Sequence, residues 1–248
     1  MTSYDEASAL FTHSSYVESG LDQAMESFAQ ALTLRQLALG RLHALTAAAE
    51  SDCGVAAGLA GLPERAERHH RAALEARQEL FGSESEETAA SHHNLGGALE
   101  ATGDVEAAAE AYADALAVRR RLSKEGLDDT AAESAAALGR LKADAGDETA
   151  AAALFREALN VYRHTLGDHP KTADLVMSLT LALLGVGEEE EGERLYQEVG
   201  GCVHLSPPFQ QLNLSILESV LEGYLEWLRV VTGTHHGLKL SKFCGGQV

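Results

Sequence analysis

The sequence predicts an all-α fold in which pairs of helices stack side by side into a solenoid. Residues 91–122 carry the clearest pair, with amphipathic patterns on either side of Gly103-Asp104 and with Leu95 and Leu99 four positions apart. The same pattern returns about every 42 residues along the 248-residue chain. We therefore expect about five helix pairs, followed by one C-terminal helix that caps the last pair.

The recurrence is strongest in small and bulky residues at fixed distances after an anchor residue. The anchors are 41 to 43 residues apart, and they are Ser19, Gly61, Gly103, Gly146 and Gly187. The columns five, nine and twelve positions later hold Ala24, Ala66, Ala108, Ala151 and Gly192; Phe28, His70, Tyr112, Phe155 and Tyr196; and Ala31, Ala73, Ala115, Ala158 and Val199. Alternating small and bulky side chains is what two closely packed helices require.

The first three units follow from this register. Unit one spans about 4–39, with helices near 4–17 and 21–38, and its first helix is atypical, as expected of a terminal repeat. Unit two spans about 43–81, with Cys53-Gly54 where unit three has Leu95-Gly96. Unit three spans about 89–122.

The last two units end in helix-stop signals or in changed composition. Unit four spans about 130–166, and Gly167 and Pro170 follow it, a combination that ends a helix. Unit five spans about 171–199. Its acidic run from Glu188 to Glu191 lies at a helix N-terminus, where the helix dipole and solvation account for it.

A change of pattern after unit five predicts a second region, so we divide the chain into 1–200 and 201–248. Gly200-Gly201 is expected to open a linker. A helix over about 208–231 would carry a wide apolar face, with large apolar residues every four positions from Leu212 to Leu228. This helix either caps unit five or forms the interface of a homo-oligomer or larger complex. From Thr232 onward we expect a mobile tail.

Charge and cysteine usage limit the function classes. The chain has 19 Lys and Arg against 38 Asp and Glu, a formal net charge of -19, which argues against nucleic acid and anionic membranes as partners. No apolar stretch reaches the length of a membrane span. Its three cysteines form no Cys-x2-Cys pair, and the acidic N-terminus lacks a basic secretory n-region. These features predict reduced thiols in a cytoplasmic protein.

Catalytic and metal-binding patterns are missing from the sequence. There is no phosphate-binding G-x-x-x-x-G-K-[ST], no G-x-G-x-x-G, no H-E-x-x-H and no G-x-S-x-G. Two histidine pairs on neighbouring helices, His69-His70 and His92-His93, could in principle bind zinc together with Cys53. Adjacent residues on a helix point about 100° apart, however, so neither pair presents two ligands on one face. We expect no enzyme activity, no cofactor and no metal.

The repeat resembles the tetratricopeptide repeat (TPR), through Leu-Gly-x2-Leu, a turn glycine, and Ala-x3-Tyr-x2-Ala in residues 95–115. The 42-residue period, the loop Leu-Gly-Asp-His-Pro at 166–170 and an arginine near the end of each second helix are similar to the repeats of kinesin light chains. Those arginines are Arg35, Arg77, Arg119 and Arg163. No long heptad segment precedes the repeats, so the likeness concerns the repeat and not the motor subunit. The resemblance implies a right-handed α-α superhelix that binds proteins.

If the family's geometry carries over, the first helix of each unit lines a concave groove. The candidate peptide-binding residues are then Glu6, His13, Tyr16, Asp52, His93, Asn94, Glu100, Glu133, Arg140, Asp174 and Met177. This groove is mixed but net acidic, which favours a neutral-to-basic peptide held by backbone contacts and charge pairing. Two alternatives stay open: the acids are merely solvated, or the chain is an assembly subunit that docks through 208–231.

Overall fold

The computed structural model describes residues 22–123, 128–167 and 169–202, and within these ranges the regular structure is entirely α-helical. The predicted first helix of unit one, with Glu6, His13 and Tyr16, lies outside the described residues. So do the predicted helix over 208–231 and the tail. The helices of the described ranges confirm an all-α superhelix of stacked helix pairs.

Nine helices follow one another within the described residues. The first, α1, covers 22–39. The others are α2 (Ala44–Leu59), α3 (Pro63–Phe81), α4 (Glu86–Thr102), α5 (Val105–Leu122), α6 (Asp129–Asp144), α7 (Glu148–Thr165), α8 (Pro170–Val186) and α9 (Glu189–Cys202). From α2 to α8, each helix packs against the next one in sequence, so the stack is built from local neighbours.

Two boundaries differ from those expected. α4 begins at Glu86, before the predicted start at 89, because the Ser85 side chain caps it and accepts a hydrogen bond from the backbone N–H of Thr88. α9 continues to Cys202, so the expectation that Gly200-Gly201 opens a linker was wrong. A glycine costs only about 1 kcal/mol inside a helix, which is too little to end one by itself.

In units two, three and four, a ring on the second helix lies directly against a glycine of the first. A Cβ added to Gly54 would stand 2.5 Å from the ring of His70, one at Gly96 2.9 Å from Tyr112, and one at Gly139 2.7 Å from Phe155. All three rings are buried. Three of the five residues of the predicted bulky column therefore fill holes that only glycine leaves open.

The arginine column joins each unit to the next. The guanidinium group donates to a carbonyl in the first turn of the following first helix, from Arg35 to Leu45 at 3.0 Å and from Arg77 to Glu87 at 3.3 Å. Arg119 is only 4% exposed and donates to the Thr130 carbonyl at 2.8 Å.

Two of these guanidinium groups also donate hydrogen bonds to serine hydroxyls, which lie one helical turn after the carbonyl. Arg77 reaches Ser91 at 2.8 Å, and Arg119 reaches Ser134 at 2.7 Å. Arg119 additionally pairs with Glu86 at 3.0 Å, so it links α4, α5 and α6. Buried arginines of this kind are stable only when their donors are satisfied, which these carbonyls and hydroxyls achieve.

Substitution of Gly96 by alanine tests the ring-on-glycine contact. The new methyl group would overlap the Tyr112 ring, so we expect Gly96→Ala to lower the free energy of unfolding by about 1–3 kcal/mol. Gly97→Ala is the matched control, because its Cβ would meet only the Tyr112 hydroxyl oxygen at an acceptable 3.4 Å. The control should be neutral or stabilising by up to about 1 kcal/mol. Urea unfolding followed by circular dichroism measures both, and equal effects would refute the contact's role.

Candidate functional site

The first helices of the units lie closer to one another than the second helices do. α2 contacts α4, and α6 contacts α8, whereas successive second helices make no comparable contact within the described ranges. The stack is therefore tighter on the side of α2, α4, α6 and α8. We call the exposed surface of these four helices the inner face.

The described candidate residues all lie on these four helices, and each is half-buried or exposed. Asp52 is on α2; Glu133 and Arg140 are on α6; Asp174 and Met177 are on α8. The remaining three are on α4, and they are His93, Asn94 and Glu100. Their accessibility leaves them free to meet a partner, and whether they do so stays a prediction.

Hydrogen bonds across units already occupy two of these side chains. The Asn94 amide donates to the Ser51 hydroxyl at 3.3 Å, and His93 Nδ1 lies 3.1 Å from the Ser134 hydroxyl. The His93 ring also meets Tyr112 edge-on, with centroids 5.3 Å apart. Burial, followed by the charge of Arg119, lowers the pKa of His93, so its imidazole is neutral at pH 7. Both side chains therefore help to hold neighbouring first helices together.

Ion pairs across units neutralise part of the predicted acidity. Arg140 Nη2 lies 2.9 Å from each carboxylate oxygen of Glu100, which also accepts a hydrogen bond from the Tyr112 hydroxyl at 3.1 Å. Lys171 Nζ lies 2.8 Å from Glu133. Glu100, Arg140 and Glu133 were predicted as site residues one by one, but their partners are 38 to 40 residues away and could not be assigned from the sequence.

Two of the four candidate carboxylates in the described ranges keep no such partner. Asp52 and Asp174 are exposed and form no ion pair with any other described residue. They lie at opposite ends of the described face, on α2 and α8. These two candidate residues therefore carry uncompensated negative charges.

A cavity of about 230 Å³ opens between α6, α7 and α8. Buried Phe155, Leu175 and Tyr162 form its apolar wall together with Ala136. Exposed or half-buried polar residues surround it, namely Arg140, Lys171, Asp174 and Ser178. Sequence reasoning identified Arg140 and Asp174 but missed Lys171, Ser178 and Tyr162. Lys171 comes from the first turn of α8, which the periodic selection of groove positions did not include.

The two histidine pairs contact different carboxylates. His69 Nδ1 lies 2.8 Å from Glu50, and His92 lies 3.8 Å from Asp114. In the part of the chain that the structure describes, no group of three or more His, Cys, Asp or Glu residues could hold a metal ion. Cys53 is free and buried, and burial raises the pKa of its thiol.

Of the described helices, none combines the length and apolar character needed to cross a membrane.

Family models match two segments of the chain. Residues 54–121 match one model described as tetratricopeptide repeat, and residues 131–171 match another with the same description. These segments contain α3 to α7 and parts of α2 and α8, including most of the inner face. Among curated proteins, none matches the chain.

Solved structures share the fold at low sequence identity. The kinesin light chain-like TPR repeats of Podosopora anserina are 19% identical, covering 80% of this chain and 95% of that one, with a TM-score of 0.62. BtubC (BKLC) from P. vanneervenii is 20% identical, covering 82% and 90%, with a TM-score of 0.57. A Rap protein complexed with Competence and Sporulation Factor is 15% identical, covering 74% and 49%, with a TM-score of 0.56.

We expect His70 to make the stability of the fold depend on pH. It fills the ring slot of unit two, and its Nδ1 is buried without a hydrogen-bond partner. Burial, then His69 and Arg77, lower the pKa of His70 to about 4 from a value of 6.5. The unfolded chain therefore takes up this proton below pH 6.5 while the folded chain resists it down to about pH 4, so stability falls through that window.

His70→Phe should remove this loss, because Phe155 fills the same slot against Gly139 in unit four. Between pH 7 and pH 5, we expect the wild type to lose about 2 kcal/mol more unfolding free energy than the variant. Urea unfolding at the two pH values measures the difference, and all other ionisable groups are common to both proteins. Parallel pH dependence of the two proteins would show that His70 does not titrate in this way.

Proposed function

Because this chain carries tetratricopeptide repeats of the long, kinesin light chain-like type, we propose that it is a non-catalytic scaffold that binds a segment of another protein along the inner face. One observation carries the proposal: each of the helices α2, α4, α6 and α8 has accessible polar side chains. Such side chains offer hydrogen bonds and charges to an extended chain, while the helices that hold them are fixed by buried contacts.

The charges of the inner face favour a neutral-to-basic segment. Two of its cations, Arg140 and Lys171, are already paired with Glu100 and Glu133. Asp52 and Asp174 remain uncompensated, and the whole chain carries a net charge of -19. A basic segment would therefore be drawn to this face and would complete its charge pairing, whereas an acidic one would have to displace existing partners.

The comparison with solved structures supports a binding role in general terms. The similar Rap protein has the same fold and is complexed with Competence and Sporulation Factor. That complex shows only that a helical stack of this kind can hold another factor. The chemistry of the partner is inferred here from the charges of this chain.

A selection from phage-displayed random dodecapeptides, followed by fluorescence anisotropy with synthetic versions of the enriched sequences, tests the proposal. Neutral or basic sequences should be enriched. The double substitution of Asp52 and Asp174 by asparagine should weaken binding about fivefold, since each lost exposed charge pair is worth about 0.5 kcal/mol. The variant keeps the size and shape of both side chains.

The matched control removes two exposed acids from second helices, at Glu75 and Glu110, by substitution with glutamine. It changes the net charge by the same amount and should leave binding within about twofold, because long-range charge is largely screened by salt. Equal weakening by both double variants, or equal enrichment of acidic sequences, would contradict binding of a basic segment on the inner face.

A further inference from the structure

We propose that the cavity between α6, α7 and α8 receives one lysine or arginine side chain of the bound segment, with Asp174 as its carboxylate partner. The inference rests on the proposed function, because the side chain arrives as part of that segment. It goes further by assigning one pocket, one class of side chain and one residue that selects it.

The wall of the cavity suits the stem of a long basic side chain. Phe155 and Leu175 are 3% and 5% exposed and present apolar surface, and Ala136 adds a small neighbour that leaves room. Lysine and arginine bury their methylene stems on such surfaces while keeping the charged head at the polar edge. The buried wall would therefore contact the stem of the guest side chain, and the exposed rim would contact its charged head.

Asp174 is the one charged residue of the cavity lining that has no ion-pair partner among the described residues. Arg140 is held by both oxygens of Glu100, and Lys171 is held by Glu133. The hydrogen bond to Glu133 raises the pKa of Lys171, so this side chain stays charged and paired. A cationic guest would add a partner for Asp174, whereas an anionic guest would compete with an existing pair.

Uncharged groups of the cavity can also accept hydrogen bonds from the N–H groups of a basic guest. The Ser178 hydroxyl donates to the Asp174 backbone carbonyl at 3.0 Å, which leaves its oxygen lone pairs free to accept. Tyr162 is neutral, because burial and then Glu133 raise the pKa of its hydroxyl. Glu100 and Glu133 do not line the cavity, but each neutralises one of its two lining cations. The charge of Asp174 is then in excess at the rim, so the local field favours a positive head group.

A double-mutant cycle on the selected peptides tests the pairing. Each lysine of a peptide is replaced by norleucine, or each arginine by citrulline, which removes the charge and keeps the stem. At one position, we expect the replacement to weaken binding about fivefold to the wild-type protein but only about twofold to Asp174→Asn, a coupling of about 0.5 kcal/mol. Asp144→Asn is the control, since Asp144 is an exposed acid on α6 that does not line the cavity.

The outcomes separate this inference from the proposed function. Peptides that bind the inner face but show no position coupled to Asp174, or show equal coupling to Asp144, would overturn the inference and leave the function standing. If no peptide is selected, Nα-acetyl-arginine amide serves as the probe in a titration followed by amide NMR shifts. Shifts at Leu175 and Ser178 that disappear in Asp174→Asn would support the pocket alone, and their absence would overturn it.

Discussion

The stack depends on a single contact that recurs in units two, three and four, a ring packed against a glycine. Only where the first helix has no Cβ can the second helix come close enough for its ring to be buried there. His70, Tyr112 and Phe155 occupy this position against Gly54, Gly96 and Gly139. In unit five the first helix has Thr180 at the corresponding place, buried and with its hydroxyl unpaired, so the glycine of the other units is missing where the repeat pattern decays.

Given that contact within the pairs, polar groups fix how one pair meets the next. The arginine at the end of each second helix reaches forward across the loop, and Asn94 and His93 bridge first helices through serine hydroxyls. Further along, Arg156 pairs with Glu191 at 2.7 Å and with Glu188. The acidic run of α9 is thus used in packing as well as at the helix terminus. These links join the helices that carry the inner face.

The sequence was sufficient for the fold because the fold is local and repeated. Small and bulky columns, turn glycines and caps lie within one unit and can be compared across units, and they led to the correct helix pairs. The charge pattern of the inner face could be predicted only in part. Glu100 and Arg140 were both selected as site residues, yet their pairing depends on the superhelical geometry between two units. The cavity was invisible for the same reason, since α6, α7 and α8 each contribute part of it.

The arginine links have a consequence for how such a chain can change in length. Arg35, Arg77 and Arg119 each bind a main-chain carbonyl 10 or 11 residues ahead, and a main-chain carbonyl exists whatever the side chain there. This contact therefore places little demand on the identity of the unit that follows, and the serine contacts of Arg77 and Arg119 need only one hydroxyl there. Whole units could be duplicated, lost or exchanged in evolution without redesigning the joints, while residues on the inner face diverge to suit new partners.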